Sequence, residues 1–246
     1  MGDHRPSEGV SRRKPWFLSL ARRYVRSRMR RSFDGVFVSG LAEARRAVES
    51  GPVIFAANHV SWWDAFAVVL VDQALDAKSH CLMDASNLAN LPFFGWIGAV
   101  PIHRDDPRAA LTDVRGAARL LDAPGDALWV FPQGRQRPAH LRPLGFERGV
   151  TVLARLTARP VVPVSITYGF RERPEMTLAI AFGEAISDAG AGLAATLEER
   201  VEAGLDRNDA FLVSGSGAYA PLIEARGRSG VPISGRLLAR LGGARA

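Results

Sequence analysis

Three short apolar runs constrain the fold of this chain more than any other feature. Residues 52–57 (Pro-Val-Ile-Phe-Ala-Ala), 127–131 and 161–166 are apolar at nearly every position rather than at alternate ones. Such runs suit strands covered on both faces, which is the situation in a parallel sheet. Residues 33–38, 80–83 and 177–182 read as further strands. Between and after them lie stretches with helical spacing, 41–49, 61–74 and 108–121, and a stripe at every fourth residue formed by Leu193, Leu197, Val201 and Leu205. Alternation of this kind predicts a single α/β domain with a mixed, largely parallel sheet flanked by helices.

The two ends differ from this middle. Residues 12–31 predict a basic amphipathic helix, with Trp16, Phe17, Leu20, Tyr24 and Val25 at helical spacing among six arginines at positions 22, 23, 26, 28, 30 and 31. Such a helix can lie in a membrane interface or pack on its own domain. Beyond Val213 the chain turns to Gly, Ser and Arg and ends in a short stripe of Ile233, Leu237, Leu238 and Leu241. The expected organisation is an interfacial segment at 1–31, a domain at 32–213 and a loosely attached tail at 214–246.

Charge and cysteine usage narrow the function classes. The formal charge is +7, from 32 basic and 25 acidic residues, and only Lys14 and Lys78 are lysines. That excess favours an anionic partner: lipid headgroups, nucleic acid or a phosphorylated substrate. Most aromatic residues fall in apolar runs, which weakens the nucleic-acid reading. Cys81 is the single cysteine, so no intrachain disulfide and no Cys-rich zinc site can form. The five histidines, His4, His59, His80, His103 and His140, lack metal-ligand spacing. Residues 1–10 carry no apolar signal core, and the most apolar stretch, 52–71, is broken by Asn58, His59 and Asp64. The expected location is the cytoplasm, with peripheral attachment to the membrane.

The segment with chemistry in it is Asn58-His59-Val60-Ser61-Trp62-Trp63-Asp64. If the strand ends near Asn58, His59 stands at the carboxyl end of a buried strand, the edge where open α/β sheets bind ligands. Asp64 then falls in the first turn of the next helix and can fold back to the imidazole. A carboxylate on one ring nitrogen keeps the other as a base for a hydroxyl proton. Each residue also has a plainer reading. Ser61-x-x-Asp64 fits a capping box, and His59 could be a hydrogen-bonded core histidine. No Gly-x-Ser-x-Gly elbow is present, so direct attack by a substrate hydroxyl is simpler than a covalent enzyme intermediate.

Asn-His-x-Ser-x-x-Asp after an apolar strand resembles the His-x4-Asp signature of the glycerolipid (lysophospholipid) acyltransferase superfamily, whose best-known members make phosphatidic acid. Three further blocks resemble that family in the same order: residues 98–104 (Gly-Ala-Val-Pro-Ile-His-Arg), Phe131-Pro132-Gln133-Gly134 with Phe146-Glu147-Arg148-Gly149, and residues 162–166 (Val-Pro-Val-Ser-Ile). The resemblance implies catalysis by His59 and Asp64. It also implies an acceptor site that includes Arg104, Gln133, Gly134, Arg135 and Arg148. The acyl donor would be acyl-CoA or acyl carrier protein, with no cofactor and no metal, and the partners would be membrane lipids rather than nucleic acid. One departure stands out. The family's third block usually reads Phe-Pro-Glu-Gly-Thr-Arg, where this chain has Phe-Pro-Gln-Gly-Arg-Gln. A neutral amide donates and accepts hydrogen bonds but cannot pair as a carboxylate does. The departure therefore bears on the acceptor, a lysophospholipid or a glycolipid. It also motivates a rival reading as a non-catalytic lipid-binding protein.

Overall fold

A computed structural model describes residues 12–224. One eight-stranded sheet runs through the domain in the order β4-β3-β5-β2-β6-β7-β1-β8. Its centre is built from the all-apolar runs: β2 (Val53–Ala57) lies between β5 (Asp126–Val130) and β6 (Val161–Phe170), parallel to both. On one side β3 (Lys78–Asp84) and β4 (Ala99–Ile102) continue in parallel. On the other, β7 (Met176–Phe182) returns antiparallel to β6 and pairs in parallel with β1 (Phe33–Ser39). This is the mixed, largely parallel sheet that the sequence predicts.

Helices cover both faces, and the core is correspondingly divided. Against one face pack α1 (Pro15–Ser32), α2 (Leu41–Ser50) and α3 (Asp64–Leu75), with Met29, Val48 and Leu70 meeting Phe55 and Trp129. Against the other pack α6 (Pro107–Ala118), α7 (Gly149–Thr157) and the start of α8 (Leu193–Ser214), with Val114, Leu153 and Leu197 meeting Ile54 and Leu128. The short helices α4 (Ala85–Asn90) and α5 (Phe93–Ile97) bridge β3 and β4. Successive residues of β2 and of β5 beyond Asp126 therefore point alternately into two apolar layers, which is why Val53–Ala57 and Ala127–Val130 are apolar throughout.

The ends of the domain differ from their sequence reading. The apolar residues of α1 do not form one stripe. Phe17, Ala21, Val25 and Met29, spaced four apart, form the ridge turned to the domain, where Val25 and Met29 are buried and Phe17 meets Trp96 edge-on at 5.1 Å. Trp16, Leu20 and Tyr24 form the adjacent ridge, roughly 100° round the helix, and stay 64%, 56% and 59% exposed. At the other end, β8 (Ala220–Ile223) adds an antiparallel edge strand to β1, and Ile223 is buried in the core. That part of the expected loose tail belongs to the sheet. The stripe from Ile233 to Leu241 and the polar start at 1–10 lie outside the described residues. No helix among the described residues is long and apolar enough to cross a membrane.

Candidate active site

The site begins where β2 ends. Ala57 still pairs with Val164, and Asn58 then continues the ladder with its side chain: Nδ2 donates to the Ile166 carbonyl at 2.9 Å and Oδ1 accepts from the Ile166 N–H at 2.8 Å. This fully buried amide lets the main chain leave the sheet without stranding the polar groups of β6. The chain turns through His59–Trp63, and α3 starts at Asp64, three residues later than its periodicity suggests. The intervening turn is held by Asp64 itself. Its Oδ2 accepts from the Val60 N–H at 2.8 Å and the Ser61 N–H at 3.0 Å, and it lies 2.6 Å from His59 Nδ1. Half of the capping-box reading is thus real, since the carboxylate does take the Ser61 amide, yet the same oxygen also meets the imidazole. The other oxygen, Oδ1, accepts from the Tyr168 hydroxyl at 2.6 Å. Asp64 is wholly enclosed, so these donors replace the water a buried carboxylate has lost.

His59 is held from three sides. The Phe131 ring lies 4.5 Å from the imidazole centroid, the His59 carbonyl accepts from the Arg137 N–H at 2.8 Å, and the His59 N–H donates to Gln133 Oε1 at 2.6 Å. With Nδ1 directed at a carboxylate, the imidazole is set as the Nδ1–H tautomer, and Nε2 is the nitrogen with basic capacity.

The other residues implied by the resemblance fall into two groups. Arg104, Gly134 and Arg135 line the same cleft as His59. The Arg104 guanidinium donates to the Gly134 carbonyl and pairs with Glu147 at 2.8 Å. Gly134 has φ +66, and a Cβ there would collide with that guanidinium, so only glycine permits this approach. The Gly134 N–H is taken by the Phe131 carbonyl at 2.9 Å and is not a donor for an oxyanion. Gln133 and Arg148 do not line the cleft. Gln133 is buried, and the far end of its amide donates to the Leu144 carbonyl at 3.2 Å. Leu144 also accepts from Arg137 Nη1 at 2.6 Å, and its own N–H donates to Glu202 of α8. Gln133 therefore ties the His59 turn to the following loop. Arg148 is exposed at the start of α7.

The cleft has a volume of about 1310 Å³ and straddles the carboxyl edge of the sheet. Phe17, Val69, Phe94 and Ile97 line it on the α1–α3 face, and Val114, Val150 and Leu153 line it on the α6–α7 face. Its walls are mainly apolar, with a few polar groups among them, as is usual for a small-molecule site. Asp72 and His80 also border it, and both are buried. Burial pushes the Asp72 carboxyl up to about 6, against the pull of hydrogen bonds from Ser79 and Trp129 and of the Arg13 and Arg22 charges. Burial likewise pushes His80 down to about 4 and keeps it neutral.

Tyr168 is the site residue that the sequence reading missed. It lies 104 positions from Asp64, just beyond the apolar part of β6, and nothing in its local sequence marks it. Burial and the adjacent Asp64 carboxylate push its phenol well above the usual range, so it stays a protonated donor.

Comparison with known proteins identifies a family. A 1-acyl-sn-glycerol-3-phosphate acyltransferase from Cocos nucifera is 28% identical over 119 residues, which cover 46% of this chain and 37% of the relative's own length. The model of the acyltransferase family matches residues 35–167, more than half of the chain, from β1 through the Asn58–Asp64 turn to the strand that carries Tyr168. The chain belongs to the acyltransferase family.

Proposed function

We propose that the protein transfers a fatty acyl group from a thioester, acyl-CoA or acyl carrier protein, to a hydroxyl of a lipid acceptor, a lysophospholipid or a glycolipid. The observation that carries this reading is the 2.6 Å contact between His59 and a fully buried Asp64 at the edge of a large, mainly apolar cleft. His59 Nε2 takes the proton of the acceptor hydroxyl as its oxygen attacks the thioester carbonyl. Asp64 stabilises the imidazolium that forms. The tetrahedral intermediate collapses with loss of the C–S bond, and the leaving thiolate takes the proton back from His59. The products are an ester and a free thiol. Arg104 and Arg135, which border the cleft, suit the polar part of the acceptor.

Attachment to a membrane surface is part of the proposal. Trp16, Leu20, Tyr24, Trp62, Leu91 and Phe93 are exposed, and all but Trp16 border the cleft, so a bilayer touching them would face its mouth. Arginines on α1 would add attraction to anionic headgroups. Incubation with acyl-CoA and a panel of lysophospholipids and glycolipids, with products identified by mass spectrometry, tests the reading. An acylated acceptor with stoichiometric free thiol is expected; thiol release without acylated acceptor would identify a hydrolase instead.

A further inference from the structure

A buried carboxylate serves as an orienting group only if its own rotation is fixed. The Val60 and Ser61 amides and His59 Nδ1 all converge on Asp64 Oδ2, while the other oxygen, Oδ1, accepts from the Tyr168 hydroxyl at 2.6 Å. The strand that delivers Tyr168 is itself anchored to the catalytic turn. Asn58 binds both main-chain groups of Ile166, and a period of two places Tyr168 on the same face of β6 as Ile166. The phenol ring packs beside Phe33, with centroids 6.0 Å apart, so its direction is set by the core rather than by solvent.

We propose that Tyr168 is a positioning residue for the transfer reaction: its hydroxyl, donated to Asp64 Oδ1, holds the carboxylate so that Oδ2 meets the His59 ring. The inference rests on the His59–Asp64 reading given above. Tyr168 acts through Asp64, not on the substrate, and this separates it from a lining residue. Without the hydroxyl, Oδ1 is left buried with a missing donor, and the carboxylate turns or draws in water to satisfy it. The imidazole then loses its fixed Nδ1–H orientation. Loss of such a supporting hydrogen bond lowers turnover by about 10- to 100-fold.

The test is Tyr168→Phe, which keeps the ring against Phe33, measured in wild-type and Asp64→Asn backgrounds. In the wild-type background kcat falls by that factor, while KM for thioester and acceptor stays within about twofold. In the Asp64→Asn background the same substitution changes kcat by less than about twofold, because the group it acts through is already gone. An equal loss in both backgrounds, a rise in KM alone, or no loss at all would overturn the proposal. A second readout does not depend on turnover. The 15N shifts of the His59 ring, identified by their loss in His59→Ala, report its tautomer. They move toward a mixture of tautomers in Tyr168→Phe. If they move while the wild-type protein transfers no acyl group, the positioning role stands and the proposed function fails. If they do not move, the positioning role fails whatever the protein catalyses.

Discussion

Gln133→Glu restores the residue usual at this place in the family, and the structure predicts what it does. The Gln133 amide spans two main-chain groups, accepting from the His59 N–H at 2.6 Å and donating to the Leu144 carbonyl at 3.2 Å. A glutamate keeps the first bond and strengthens it, since the acceptor becomes charged. It loses the second, because a carboxylate then faces a carbonyl with no hydrogen between them. A buried bond replaced by opposed acceptors costs about 1–3 kcal/mol. Arg137, which already donates to Leu144, can swing toward the new charge and offset part of that. A net loss of about 1–2 kcal/mol corresponds to a fall in Tm of roughly 2–8 °C for a domain of this size. The sign with pH follows from burial, which raises the glutamate above its unfolded value. Its penalty is therefore absent at low pH, where the acid form again donates to Leu144, and grows as the group ionises. The difference in Tm from wild type should widen as pH rises from about 4 to about 6 and then level off. Because Gln133 does not line the cleft, transfer to a lysophosphatidate and to a glycolipid should fall by the same factor. A changed ratio of the two acceptors at unchanged stability would instead place residue 133 against the acceptor.

Other predictions test other parts of the structure. Asp72 has its carboxyl raised from 3.8 to about 6 by burial, so its contribution to stability is full below the unfolded value and is lost as pH rises through about 6. Asp72→Asn, which can still accept from Ser79 and Trp129, should gain on wild type in unfolding free energy as pH rises from about 4 to about 7, by up to roughly 3 kcal/mol; parallel stability profiles would refute this. Deleting 1–31 would remove Val25 and Met29 from the core, at about 1.5–3 kcal/mol each. The membrane contact is therefore better tested by Trp16→Ser/Leu20→Ser/Tyr24→Ser on the exposed ridge. That triple variant should stay folded and bind anionic vesicles about 10- to 100-fold more weakly, and unchanged co-sedimentation would exclude this ridge as the contact.

How far the sequence could be read depended on the kind of signal each element carries. β2, β5 and the first half of β6 were legible because strands covered on both faces read as nearly continuous apolar runs. β8 was not: an edge strand pairs through its backbone, and its Ala-Pro-Leu-Ile lies in a stretch rich in Gly and Ser. α7 was missed because it starts at Gly149 with β-branched Val150, Thr151 and Val152 close behind, residues that favour strands. In α1 the apolar spacing was correct, but which of two adjacent ridges turns inward depends on the sheet it meets. Local sequence also placed His59 and Asp64 correctly relative to each other, since a turn of five residues suffices to close that contact. The direction of the Gln133 side chain and the arrival of Tyr168 depend instead on the loop fold and on strand register, which no local pattern encodes.

In the proposed transfer, His59 takes the acceptor's proton. The most direct test of this role is the rate of acyl transfer by His59→Ala beside wild type, at saturating thioester and with an acceptor that the wild-type protein acylates. Loss of the general base should lower kcat by about 10²- to 10⁴-fold, with the thermal transition and thioester binding retained. A folded variant that transfers at the wild-type rate would contradict this role.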